Sequence, residues 1–463
     1  MHLHWHRGDL RPHDLRALEE AAPTAVLPAF VIDPSIVEMA GPARLTVLRQ
    51  SLAELRAAYR DRGGDLVVVR GRAPYAVPRL VEAVGAETIS WTRAYSATGR
   101  NRDAAVKSAL EETDCRPMPV FDGLLHEPGS ITTQSGSAYR VFRYFWEAWR
   151  ERAVPTPLGI PTAIEWVDTP GPVAGATEIE SIDGPPAVSV PDGGWSAAQA
   201  RLETFIESGL DRYGTEAAAI EPDATSRLGA DLHLGTIGVR TVLARLDAAT
   251  APEPPPEGDR ASEAFTRQLA WREFYHHLLW EHPSLQRESF RTFSPEPWRF
   301  APEELEAWRA GRTGYPIVDA GMRQLRSEHF LPNRVRMIVA SFLTKHLLIH
   351  WRKGYEWFRV QLVDHAPANE AGNWQWIAST GPAAQPPYRI FNPMAQAERY
   401  DPAAEYITKH VPELRQVSPK QIHSWPTLSN ETRSTLADDY PGPIVDHAAA
   451  RDRALDAFGV DEA

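Results

Sequence analysis

The chain has 463 residues, of which 43% are apolar and 24% charged, and its net charge is −12. That length suits two or three globular domains with a sizeable core, and the acidic balance excludes a surface coated in basic residues, so a nucleic-acid partner needs a local patch. A single cysteine, Cys115, excludes both an intrachain disulfide framework and a four-cysteine metal or iron–sulfur centre.

The N-terminal stretch MHLHWHRGDLRPHD lacks the apolar segment of a signal peptide. The best apolar run, 338–349, is short and interrupted by Lys345. It reads as a core helix, so no membrane span is expected. With one cysteine and no leader, a cytoplasmic setting is the simplest expectation.

Residues 1–5 alternate and read as a first strand; 24–32, 65–69, 88–91 and 117–121 read as short buried strands. Helical stretches lie between them. The clearest is 44–62, where Leu45, Leu48, Leu52, Leu55 and Tyr59 recur at three- and four-residue spacing. Strand alternating with helix predicts an α/β domain over 1–130, a doubly wound, Rossmann-like parallel sheet. The glycine-rich GxGxxG phosphate turn is absent from it.

An aromatic-rich helix is expected at 140–151, inside a connector assigned to 131–195 whose stretch 154–194 is rich in Pro, Gly and small residues. From 196 to 463 the pattern is helical. The expected helices are 197–208, 236–246, 263–281, 303–310, 318–328, 333–351, 354–363 and 403–410, with a Pro-rich loop at 251–258. Nine of the fifteen tryptophans fall between residues 271 and 425. Singly they are core fillers; together they suggest a bound ring system, a stacked base or a redox relay. Between 311 and 360, nine Lys or Arg stand against three Asp or Glu, the local basic patch that a nucleic acid requires. No metal ligand set is assigned: His276 and His277 are the nearest candidates and, being adjacent, cannot share a helix face.

Five segments carry a resemblance: TSRL at 225–228, QLAWREFYHHLL at 268–279, TGYPIVDAGMRQL at 313–325, NRVRMIVASFLTKHLLIHW at 333–351 and NWQWIASTGPAAQPPYRIFNP at 373–393. The opening WHRGDLR and the closing YPGPIV at 440–445 extend it. With these motifs in order the chain resembles the DNA photolyase and cryptochrome family, most closely the microbial class I enzymes that repair cyclobutane pyrimidine dimers.

The resemblance implies an all-α FAD-binding domain after the α/β domain. It also implies a light-driven reaction, in which photoexcited reduced FAD gives an electron to a pyrimidine dimer in damaged DNA. Trp298, Trp351 and Trp374 match the family's electron relay. Tyr213, Thr225, Ser226, Arg227, Leu228 and Gly229 match segments around the FAD phosphates. Trp271, Arg272, Asn333, Arg336, Asp364, Ala366 and Glu370 match positions lining the flavin, with Glu370 facing its N5 edge. Gln268, Trp271, Asn333, Arg334, Met337, Trp376, Arg389 and Gln396 match DNA-facing positions. An antenna, folate or deazaflavin, is left open, and a monomer is expected.

The sequence departs from the family pattern near the flavin. Ala366 replaces an Asp, Glu370 an Asn and Gly229 a Ser; Pro332 stands where a His is usual, and His346 and His350 stand where two Asp are usual. Ala217 and Ala218 replace an Arg-Asp pair. Three functions follow from the resemblance: a dimer-splitting lyase, a cryptochrome-like light sensor without repair, and a DNA-binding paralogue without FAD.

Overall fold

A computed structural model describes residues 1–21, 25–169, 171–182, 190–215, 220, 224–250 and 260–460. Ala217, Ala218 and the Pro-rich loop lie outside the described residues. The chain divides into two compact units: Met1–Asp211 with Ser226–Ser284 and Val363–Ala368, and Arg212–Thr225 with Leu285–Leu362 and Asn369–Ala463.

The first unit is built on a parallel sheet of β1 (His2–His6), β2 (Ala25–Ile32), β3 (Val67–Arg70), β4 (Thr88–Thr92), β5 (Arg116–Val120) and β6 (Glu165–Trp166). The order is β3-β2-β1-β4-β5, and β6 pairs with the start of β2. The five expected strands are therefore present. The residues expected as a bare connector contribute a sixth, because Trp166 finds a buried place beside Tyr59 at 4.7 Å between ring centroids.

Alternation assigns the two faces of this sheet. Leu27, Ala29 and Val31 join Leu3 and Trp5 in one apolar layer; Val26, Phe30 and Ile32 join the helix Pro42–Arg60 through Leu45, Leu52, Leu55 and Tyr59 in the other. Pro42 at the first turn starts that helix. The helix Ala73–Val84 carries Pro78 inside it. There it removes the i→i−4 hydrogen bond to the Pro74 carbonyl, at a local cost that the buried face of Val77, Leu80, Val81 and Val84 offsets. Such prolines are what obscure this helix in the sequence.

Ion pairs fasten later helices to the sheet within this unit. Arg240 reaches Asp14 at 2.7 Å and Asp122 at 3.1 Å, all three side chains being buried. Glu273, on the helix Arg260–Glu281, accepts from the backbone N–H of Leu125 and from Trp149 Nε1 at 2.9 Å.

The second unit is helical, and one large cluster that includes Trp308, Phe342, Trp351, Phe358, Trp374 and Trp425 forms its core. The single helix expected over 333–351 is instead three pieces: Asn333–Ser341, a wide turn at Phe342–His346, and a new helix beginning at Trp351. Leu348 takes a left-handed φ of 50°, and the His350 side chain caps the new helix by accepting from Arg352 N at 3.2 Å. Residues 342–349 are buried throughout, so their apolar run has no phase by which to betray the break. Among the described residues no helix is long and apolar enough to cross a membrane.

Candidate functional site

In the first unit the chain enters the short helix Gly229–Leu234 through a tight turn. Arg227 takes a left-handed φ of 51°, and Ser226 Oγ accepts from Leu228 N at 3.4 Å. A Cβ at Gly229 would lie 2.7 Å from Asp364 Oδ2. The glycine thus lies close against that carboxylate.

Trp271, half-buried on the helix Arg260–Glu281, lies flat on Phe142, with ring centroids 3.7 Å apart and planes 8° from parallel. Phe274 holds it edge-on at 5.4 Å. Gln268 is exposed one turn earlier, and Ala366 is half-buried. Arg272 spends its guanidinium on backbone, donating to Gly123 O at 3.0 Å and Leu232 O at 3.1 Å. Its visible role is to bind helix to loop.

In the second unit Arg336 is the centre of a small polar group. Its Nε donates to Leu331 O at 2.9 Å and its Nη1 to the buried Glu370 at 3.2 Å. The carboxylate that replaces the expected amide is thus matched by a cation. Asn333 Nδ2 contacts Met337 Sδ at 3.9 Å, and Arg334 lies over the Tyr400 ring at 4.6 Å. Thr225 and Trp376 are half-buried, and Arg389 is exposed. Burial pushes the Tyr213 hydroxyl up to about 12, so it stays neutral. Asn369 Oδ1 and Gln396 Oε1 are, with Thr380 Oγ1 and Gln385 Oε1, among the buried acceptors of this unit that have no hydrogen-bond partner.

The basic patch is partly consumed by folding. Arg323 pairs with Glu413 at 2.7 Å and Arg352 with Glu356 at 3.5 Å. Lys345 is buried, with Nζ donating to Ser379 Oγ at 2.9 Å; burial lowers its pKa to about 7.

The three matched tryptophans all lie in this unit. Trp374 is buried edge-on to Phe358 at 5.0 Å and to Trp308 at 6.4 Å. It also presses on the backbone of the helix Trp351–Gln361: a Cβ at Gly354 would lie 2.0 Å from its ring. Trp351 is wholly buried, and its Nε1 donates to Ser289 Oγ at 3.0 Å. Trp298 is half-buried, and His350 contacts both outer indoles, at 5.1 Å from Trp298 and 5.7 Å from Trp351.

Sequence reading misses Phe142, Gly354, Ser289 and Glu370's pairing with Arg336. Each acts by touching a residue distant in the chain, and neither periodicity nor spacing signals such contacts.

The residues present fit a bound flavin nucleotide. Taken unit by unit, the first offers the Ser226 turn and a glycine position tight against Asp364, and the second offers the Arg336–Glu370 pair and the acceptors Asn369 Oδ1 and Gln396 Oε1.

Comparison with known proteins agrees. Residues 2–162 match the family described as DNA photolyase, and residues 265–460 match the FAD binding domain of DNA photolyase. The chain is 43% identical to the deoxyribodipyrimidine photo-lyase of Halobacterium salinarum, covering 99% of this chain and 98% of that one. Its fold superposes on a bacterial class III photolyase from Agrobacterium tumefaciens with a TM-score of 0.89 at 36% identity, over 99% of this chain and 97% of that one. A cryptochrome from Synechocystis also gives a TM-score of 0.89, at 25% identity and 98% of both chains.

Proposed function

The chain belongs to the DNA photolyase family, and from that premise we infer that it is a light-dependent flavoprotein lyase that splits cyclobutane pyrimidine dimers in DNA. The observation that carries this reading is the end-to-end match, which includes the helical half described as FAD binding.

When bound, reduced FAD would supply, on excitation by light, the electron that opens the cyclobutane ring and would take it back once the ring has split. The chain's own residues bind, orient and insulate. The turn at 225–229 would take the phosphates, its backbone N–H groups and hydroxyls donating to anionic oxygens. Trp271 and Trp376 would present flat apolar faces to bases drawn out of the duplex stack. Phe142 fixes the plane of Trp271 by stacking on it, so less rotamer freedom is lost when a base arrives. Gln268, Asn333, Arg334, Met337, Arg389 and Gln396 would meet the lesion strand, the arginines as phosphate contacts whose contribution falls with salt.

The tryptophans Trp298, Trp351 and Trp374 would carry electrons inward from a half-buried to a fully buried indole. Each is oxidisable and held in place by packing. Arg336 offsets the charge of Glu370, which would lower the cost of an acidic residue beside a bound flavin. An antenna, folate or deazaflavin, would belong to the domain at 1–130, ahead of a connector at 131–195 and the helical domain at 196–463. The protein would act as a cytoplasmic monomer.

The test is dimer loss from a thymine-dimer oligonucleotide incubated with reduced protein under blue light and in the dark. Loss in light alone supports the lyase. Bound FAD with no loss in either favours the second reading, a light sensor, to which Glu370 in place of Asn gives its support. Protein that cannot be loaded with FAD overturns both.

A further inference from the structure

Three histidines line one face of the central strand. In β1 the side chains of Leu3 and Trp5 enter one apolar layer, so His2, His4 and His6 point to the opposite face, and all three are at most 2% exposed. Asp9 follows just beyond the strand and is equally buried. A strand brings i and i+2 to the same side, which gives the stretch H-x-H-x-x-D a convergence that helical spacing rules overlook. His4 Nε2 lies 3.8 Å from Asp9 Oδ2, and His6 Nδ1 lies 3.4 Å from Asp9 Oδ1. The ligating atoms of the three residues all fall within 4.8 Å of one another.

From this geometry we propose that His4, His6 and Asp9 form a structural binding site for a divalent transition-metal ion of the zinc type. A tetrahedral ion with bonds of about 2.0–2.1 Å separates its ligand atoms by about 3.4 Å, and the two histidine-to-carboxylate separations are of that size. Each of the three residues offers one donor atom, Asp9 through one oxygen, and a water takes the fourth position of the tetrahedron.

The second shell is in place. His4 Nδ1 is 3.0 Å from Ser90 Oγ, His6 Nε2 is 2.7 Å from Tyr59 Oη, and Thr92 Oγ1 donates to Asp9 Oδ2 at 2.6 Å. Arg7 N donates to Asp9 Oδ1 at 2.7 Å, which leaves each carboxylate oxygen one further lone pair. Partners of this kind orient ligating histidines in metal sites generally. The independent sign of a ligand is His4 Nε2. It is wholly buried, faces Asp9, and has no hydrogen-bond partner. A buried polar atom left so is costly, and an ion between it and the carboxylate satisfies it.

One rearrangement accompanies binding. His6 Nδ1 sits 3.0 Å from the Asp9 carbonyl oxygen, which can only accept, so in that contact Nδ1 holds the ring proton. To bind the ion His6 takes the other neutral tautomer, with Nε2–H donating to Tyr59 Oη. The proton moves from one ring nitrogen to the other, and none is lost or gained.

The experiment uses the full chain, stripped with a chelator and dialysed against Zn²⁺ or Co²⁺. The expected result is one tightly held ion per chain, a raised melting temperature, and, with Co²⁺, the intense visible absorption of a tetrahedral site. His4→Val, an apolar fit to a strand core, is expected to lose that ion and the Co²⁺ colour; His276→Ala is expected to keep both. Absence of a stoichiometric ion in the wild-type chain overturns the proposal without recourse to any variant. An equal ion count and unchanged Co²⁺ spectrum in folded His4→Val overturns it as well. Neither outcome depends on flavin or light, so the site stands or falls apart from the lyase reading.

Discussion

Glu370 and Trp374 lie one turn apart on the same helix, Pro367–Ala378, yet they belong to regions under different constraints. Around Trp374 the constraint is packing: Phe358 and Trp308 meet its edges, and Gly354 withholds a side chain where a Cβ would fall 2.0 Å away. Around Glu370 the constraint is charge, and Arg336 meets it at 3.2 Å. A departure from the family pattern is absorbed where one pair of charges can be rebalanced. It is not absorbed where a close-packed ring fixes the backbone on both sides.

The largest expected effect lies on the packed side. Trp374→Phe is expected to slow photoreduction of bound flavin by about tenfold or more, roughly 1.4 kcal/mol or more of barrier. Repair by chemically reduced protein should change far less. Light-driven bleaching of the oxidised flavin band, set against dimer repair, reads the two apart, and equal losses in both would erase the distinction drawn here.

A second consequence of dry packing is electrostatic. Lys345 has its pKa lowered by burial to about 7 from an ordinary 10.5. Between those values the unfolded chain holds a proton that the native chain has shed, so stability rises with pH across that window. Below about 7 both states are protonated and the whole penalty is felt. Lys345→Met is expected to raise stability at neutral pH by up to the order of 4 kcal/mol, less the loss of the Ser379 contact, and to flatten the pH dependence from 7 to 10. Denaturant midpoints at three pH values check it.

Gly354→Ala tests the packing itself. The added methyl must displace the indole or the helix, at a cost of about 1–3 kcal/mol, with a matching drop in melting temperature and slower photoreduction. The smallest effect is expected at the charged edge. Glu370→Asn should keep the fold and alter repair only a few-fold, within about 1 kcal/mol, since the amide still accepts from Arg336. A collapse of flavin binding in this variant would show that the pair is structural and would remove the contrast with Trp374.

Much of this was legible in the sequence. The five strands of the main sheet follow from buried apolar runs, and the motifs between 225 and 393 point to the family residue by residue. The break in the helix expected over 333–351 was hidden because residues 342–349 are all buried and so show no helical phase. The sixth strand was hidden because it is only two residues long and lies in a connector rich in Pro, Gly and small residues. The stacking of Phe142 on Trp271 and the pairing of Glu370 with Arg336 join residues 129 and 34 positions apart, and no local pattern encodes such contacts. The histidine face of β1 was legible in principle: the two-residue period was read, but its chemical consequence was not.

The central claim is that light absorbed by a reduced flavin held in this chain is what removes the dimer. The direct measurement is the action spectrum of dimer loss, laid over the absorption of the bound reduced flavin in the same preparation. Coincidence of the two, with no loss in the dark, is the result expected. Repair that proceeds in the dark, or none at wavelengths where that flavin absorbs, would contradict it.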